Sequence, residues 1–423
     1  VNNTPIFPSD FLWGVATAGH QNEGFNTASD TWFVEHLTPS VFREPSGAAC
    51  DSWNRWREDL QLVTDMGLSA FRFSIEWARI EPQQGSFDER ALAHYSEILE
   101  ECSSRGLAAI VTFNHFSTPH WFAARGGWLH RESDSLFARY CSAVMEEFGD
   151  KISIAVTINE PNLPELLDEI GIPDVVRDLE RASLAAASAA AGVPTYRLGN
   201  VVLPEEFVRM QEGLTRAHIA ARRAIKQARP ELPVGLSIAI TDDVALLGGE
   251  PSRDQKRRVV YEHWLDLARA DDFIGVQNYE RMTYGPHGRV AAPSHTPRNS
   301  MGSAIEPLSL AGAVRYAHDT SGVPVLVTEH GLGSDDDTLR VDFIETALIA
   351  LADVVRDGVP VLGYCHWTLL DNFEWVFGYG PKFGLHEVDR TTFARTAKAS
   401  AHSYARFVAA QRFAAHTPSD AVE

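Results

Sequence analysis

Eight short apolar runs, each followed by a stretch of helical period, constrain this 423-residue chain more than any other feature. The runs are Leu12–Ala18, Ala70–Ile75, Ala108–Phe113, Ile152–Ile158, Val234–Ala239, Phe273–Val276, Val323–Thr328 and Val361–His366. Between and after them lie Arg57–Met66, Glu89–Ser104, Leu136–Phe148, Pro204–Ala228, Gln255–Ala268, Leu308–Thr320, Leu339–Val355 and Arg395–Ala410, where apolar residues recur at helical spacing. Strands that are apolar almost throughout belong to parallel sheets covered on the outside. Eight such strand–helix units close a barrel, whereas an open doubly wound sheet usually carries fewer. The pattern predicts an α/β fold, a single (β/α)8 barrel over residues 1–423 with extended loops at the carboxyl ends of its strands. Residues 162–203 and 281–307 break the rhythm after strand ends and read as loop insertions, with no second core-forming segment.

Composition narrows the function classes. Lys and Arg number 37 against 57 Asp and Glu, a net charge of −20 that repels nucleic acid and anionic membranes. Cys50, Cys102, Cys141 and Cys365 are widely spaced, which suggests neither a zinc site nor a disulfide framework. No apolar stretch approaches a membrane span and no secretory leader is visible, so the expected location is the cytoplasm, with a removed leader left open.

The chemistry sits at two strand ends. The fourth run leads into Thr157-Ile158-Asn159-Glu160-Pro161 and the seventh into Val327-Thr328-Glu329-His330-Gly331. A carboxylate at the end of an apolar strand is costly unless it is paired, hydrogen-bonded or used. For either glutamate alone, a salt-bridged structural role competes with a catalytic one. Together, on strands nearly across a barrel, they can face one cavity. Two carboxyls across a pocket can cleave a glycosidic bond, one donating a proton to the leaving oxygen and the other attacking the anomeric carbon. A gap of about 5–5.5 Å predicts retention of configuration and roughly 6.5–9.5 Å predicts inversion.

Six collinear motifs give these glutamates a context: Phe11–Gly24 (FLWGVATAGHQNEG), Phe71–Pro82 (FRFSIEWARIEP), Thr157–Pro161 (TINEP), Phe273–Tyr279 (FIGVQNY), Val325–Gly331 (VLVTEHG) and His366–Trp375 (HWTLLDNFEW). Over nearly its whole length the chain resembles glycoside hydrolase family 1, the β-glucosidase family. The resemblance implies Glu160 as acid/base and Glu329 as nucleophile, supported by Arg72, Asn159 and Tyr279. It further implies a sugar pocket of Gln21, His115, Asn159, Trp367, Glu374, Trp375 and Phe383, with no cofactor and no metal. The Glu374-Trp375 pair argues against a 6-phosphorylated sugar, which a carboxylate there would repel. Four positions depart from the family pattern: His20, Phe116, Gln277 and His330.

The implied activity is a retaining β-glycosidase acting on a small-molecule β-glycoside, with terminal β-D-glucosyl and possible β-D-galactosyl or β-D-fucosyl residues. A transglycosylase using the same covalent intermediate, and specialisation for another unphosphorylated glycone, remain as alternatives. A sugar-binding protein without activity would need a hidden defect. A metal-dependent hydrolase lacks a ligand set, because His115, His120 and His366 are not spaced as ligands.

Overall fold

The computed structural model describes residues 7–416, so the ends of the expected 1–423 unit lie outside the described residues. Eight parallel strands form a closed barrel: β1 (Leu12–Ala16), β2 (Ala70–Ser74), β3 (Ala108–Asn114), β4 (Ile154–Asn159), β5 (Val234–Ala239), β6 (Phe273–Asn278), β7 (Val325–His330) and β8 (Val361–Trp367). Each strand pairs with its neighbours in sequence, and β8 closes onto β1 through Leu12↔Gly363 to Ala16↔Trp367. Sequence neighbours being spatial neighbours is what repeated right-handed β–helix–β connections produce.

The near-continuous apolar character of the strands has two causes, one on each face. Inside the barrel, Ala16, Ala70, Ile110, Ile154, Val156, Phe273, Leu326 and Cys365 pack together, with Trp367 and Phe383 at the carboxyl end. Outside it, residues such as Val15, Phe71, Phe73, Val111, Phe113 and Val327 pack against the helices in a larger core. Burial on both faces leaves no room for the polar alternation of a half-solvated sheet.

Several boundaries differ from the sequence reading. Arg395–Ala397 is a strand paired antiparallel with His386–Val388, and the last helix begins only at Ala399. Arg395 there donates to buried Asp59, which fixes it in the ladder and outside the helix. The segment expected as helix Gln255–Ala268 starts at Glu250 and carries a π turn over Arg258–Glu262.

The two insertions are more ordered than loops. Residues 162–203 contain helices Leu163–Ile170 and Asp174–Ala191. Contrary to expectation they help build a satellite core, in which Leu184, Ala187, Tyr196, Leu198 and Val201 pack with Val34, Phe42, Ala123 and Phe373 from other loops. Residues 281–307 open with strands Arg281–Gly285 and Gly288–Val290, which join Asp242–Ala245 in a three-stranded sheet. Among the described residues, no helix is long and apolar enough to cross a membrane.

Candidate active site

Simple alternation would send Glu329 away from the barrel. Leu326 faces the interior, so at a period of two Thr328 would follow it inward and Glu329 would point out. The register against β6 instead jumps from Val327↔Val276 to Glu329↔Gln277. This irregularity re-aims the chain by one residue, as a β-bulge does. Glu329 enters the barrel and His330 turns outward. β4 repeats the device: Val156 pairs with Gly235 and Asn159 with Ser237, three residues against two.

Glu329 is held by donors. Arg72 Nη1 lies 2.5 Å from its Oε1, and the Tyr279 hydroxyl donates to Oε2 at 2.6 Å. Arg72 is itself fixed, with Nε donating to Thr112 Oγ1 at 3.1 Å and Nη2 to Asn159 Oδ1 at 2.5 Å. The Gln277 amide also donates to Asn159 Oδ1, at 2.7 Å. Burial raises the Glu329 pKa above the ordinary carboxylate value, while Arg72, Tyr279 and Gln277 pull it back toward the charged form.

Glu160 is the opposite case. Its backbone adopts the left-handed region at φ 44° and its N–H donates to Ser237 O at 2.8 Å. Among the described residues, no donor reaches its carboxyl. Burial, and then the nearby Glu329 charge, push its pKa well up, with Arg72 only partly offsetting them. Burial raises both groups, but only Glu329 has compensating donors, so Glu160 holds its proton to the higher pH.

The expected sugar-pocket residues gather around this pair. His115 Nε2 lies 3.3 Å from Asn159 Nδ2 and 4.0 Å from Glu329 Oε1. Burial holds His115 neutral, and its Nδ1 is a buried atom with no hydrogen-bond partner among the described residues. Gln21 Nε2 donates to Phe373 O at 2.8 Å and Glu374 Oε2 at 3.3 Å, leaving Gln21 Oε1 without a partner among the described residues. Burial, then the Glu329 charge, lift Glu374 to about 8. Trp375, His115 and Trp367 stand nearly parallel, with centroids 6.1 and 5.7 Å apart, and Phe383 meets Tyr279 edge-on at 5.9 Å. Aromatic faces beside unpartnered polar atoms suit a ring with an apolar C–H face and a rim of hydroxyls.

Comparison with known proteins decides the family. The model of glycosyl hydrolase family 1 matches residues 3–183 and 266–413. The chain belongs to glycosyl hydrolase family 1. Beta-glucosidase A of Thermotoga maritima is 29% identical, over 96% of this chain and 98% of that protein. A bifunctional beta-D-glucosidase/beta-D-fucosidase of Bifidobacterium breve is also 29% identical, over 96% and 99%. The crystal structure of beta-glycosidase BGL167 superposes with a TM-score of 0.91 at 46% identity, covering 99% of each chain. This family 1 member is therefore a retaining O-glycosyl hydrolase.

The departures of this family 1 enzyme from the usual pattern have distinct surroundings. His330 stacks on Phe343 with centroids 4.6 Å apart and its Nδ1 meets the Tyr364 hydroxyl at 2.9 Å. Burial drops its pKa to about 3, so it is neutral and faces away from the carboxylates. His20 stacks on Trp375 with centroids 5.5 Å apart and its Nε2 lies 3.6 Å from buried Glu35. Phe116 meets Trp375 edge-on and brings no polar atom to the pocket. Thr112, which anchors Arg72, escaped the sequence reading because a threonine within an apolar strand looks like ordinary strand composition. Gln277 was visible only as a departure, and its bond to Asn159 needs the fold to bring positions 159 and 277 together.

Proposed function

We propose that this family 1 hydrolase cleaves terminal β-D-glucosyl residues by double displacement, with Glu329 as nucleophile and Glu160 as acid/base. Ionised Glu329 attacks the anomeric carbon while Glu160 gives its proton to the departing oxygen, leaving a glycosyl ester and a free alcohol. Glu160, now a carboxylate, takes a proton from water as that water attacks the same carbon, releasing the sugar with its configuration retained and restoring both groups.

The observation that carries the assignment is the contrast in donors. Arg72 and Tyr279 donate hydrogen bonds that favour a charged Glu329, whereas among the described residues no donor reaches Glu160 and only the more distant Arg72 charge opposes its protonation. Asn159 is assigned to the 2-hydroxyl: its Oδ1 is taken by Arg72 and Gln277, and of the two hydrogens on Nδ2 one faces His115 Nε2 and the other is left to donate. Gln21, His115, Glu374 and Trp375 are assigned to the other hydroxyls, Trp367 to the floor under the ring and Phe383 to the wall near the 6-position. Phe116 removes an indole donor, and a relative named for both β-D-glucosidase and β-D-fucosidase activity supports extending the glycone range to β-D-fucosyl and β-D-galactosyl residues. The 162–203 insertion packs against Val34, Phe42, Ala123 and Phe373 from segments that follow other strands, which supports reading the chain as one catalytic unit. Four unpaired, buried cysteines suit a reducing compartment such as the cytoplasm.

Replacing Glu329 by Gly tests the roles directly. Hydrolysis should be lost, and azide should restore release of an activated aryl leaving group with an α-glucosyl azide as product. A β-linked azide would reverse the two assignments.

A further inference from the structure

Asn162 lies two residues beyond Glu160, at the N-cap of helix Leu163–Ile170. An asparagine there ordinarily accepts a hydrogen bond from the first turn of its helix. This one makes no capping bond. Its Nδ2 instead donates to Ala239 O at 2.7 Å, and its Oδ1 accepts from Ala239 N at 3.0 Å. Ala239 ends β5, and the β4–β5 pairing stops two residues earlier at Asn159↔Ser237. The amide therefore stands in for a further strand residue, continuing the ladder after the chain has left β4.

Glu160 sits between these attachments. Its N–H donates to Ser237 O, its carbonyl accepts from Leu163 N at 3.0 Å, and its φ of 44° is one a non-glycine residue keeps only when its surroundings over-determine it. Because no protein donor reaches its carboxyl among the described residues, no hydrogen bond orients that group, and its aim depends on the backbone that carries it and on packing. Asn162 is fully buried, so its two bonds are not exchanged with solvent.

We propose that Asn162 is a positioning residue for proton donation: its bridge to Ala239 fixes the left-handed backbone of Glu160 and so the aim of the carboxyl at the glycosidic oxygen. The proposal rests on Glu160 being the acid/base.

The test is kcat/KM across aryl β-glucosides from dinitrophenyl, which leaves without help, to phenyl, which needs the proton. Asn162→Ala and Glu160→Ala are measured in parallel. The ratio of two substrates on one enzyme cancels any loss of folded protein. Glu160→Ala should show a steep dependence on leaving group. Asn162→Ala should show a shallower one, losing at least about tenfold on the phenyl glucoside, a fraction of the roughly 10²–10⁴ a general acid supplies. On the dinitrophenyl glucoside it should change by under about threefold, and adding it to Glu160→Ala should cost little more, because both act on one step. An equal loss across the series, or full additivity in the double variant, overturns the role of Asn162 while a steep Glu160→Ala series leaves the acid/base assignment standing. A flat Glu160→Ala series removes that assignment and this proposal with it. Should Asn162→Ala not fold, Asn162→Asp, which keeps the acceptor for Ala239 N, is judged by the same ratio.

Discussion

The ends of β4 and β7 share a backbone device and differ in everything around it. Each strand carries a register irregularity that turns a polar residue into the barrel, and each delivers a glutamate to the same cavity. The β7 glutamate arrives among an arginine, a tyrosine and a glutamine amide. Its β4 counterpart arrives with no donor among the described residues, in a left-handed backbone held by Ser237 and Asn162. Two identical side chains thus become different reagents because one environment solvates charge and the other does not. Glu329, the proposed nucleophile, is held by its side chain, and Glu160, the proposed proton donor, by its main chain.

Breaking the β7 side should cost most. Glu329→Ala removes the attacking atom, and kcat/KM should fall by roughly 10⁴-fold or more on every substrate, as loss of a nucleophile does. A loss that varied with leaving group would place Glu329 in proton transfer. Breaking the β4 side should cost less and unevenly: Glu160→Ala should lose about 10²–10⁴-fold on phenyl or alkyl glucosides and far less on activated ones.

Tyr279→Phe sharpens the contrast without removing either carboxyl. A hydrogen bond to a charged group is worth about 1.5–3 kcal/mol, so kcat/KM should fall by roughly ten- to a hundredfold. The sign of the pH effect follows from which form the donor favours. The tyrosine stabilises ionised Glu329, so its loss raises that group's pKa and shrinks the ionised fraction at low pH. The acid limb of the kcat/KM profile should therefore move to higher pH, while the alkaline limb, set by Glu160, stays. Movement of the alkaline limb alone would mean the two glutamates had been assigned the wrong way round.

Much of this was legible in the sequence. All eight strands lie where the apolar runs placed them, because burial on both faces leaves a signal that tertiary context does not alter. Glu160 and Glu329 were legible because they interrupt those runs at their carboxyl ends. Their orientation was not: strict alternation from Leu326 predicts the wrong face for Glu329, and no residue type announces a bulge at Thr328. Arg395–Ala397 failed for a similar reason, since three residues in a ladder look like the start of the helix behind them. Asn162 misleads outright. It lies in a segment that reads as a loop insertion, its place before Leu-Pro-Glu would suit a helix cap, and only the position of Ala239 shows that the amide is used elsewhere.

The outward side of the β7 bulge gives the smallest effect on activity and a separate check on the geometry. If the bulge turns His330 away from Glu329, then His330→Asn should leave the pH profile of kcat/KM unchanged and its value within about twofold, since the neutral imidazole packs on Phe343 and Tyr364 and brings no charge to the carboxylates. Stability should respond instead. His330 titrates near 3 in the folded chain, against 6.5 for an unperturbed histidine, because burial disfavours the imidazolium. Unfolding therefore takes up a proton between these values. The histidine's contribution is fully present above 6.5 and is lost as pH falls through that window, by about 1.4 kcal/mol per unit. Asparagine has no such proton to bind. Thermal melts from pH 7 to 4 should show the variant losing less stability on acidification than the parent, even if it begins lower for want of the bond to Tyr364. Parallel acid dependence in the two proteins would mean His330 is not sealed beneath Phe343, and a shifted activity profile would put it back beside the nucleophile.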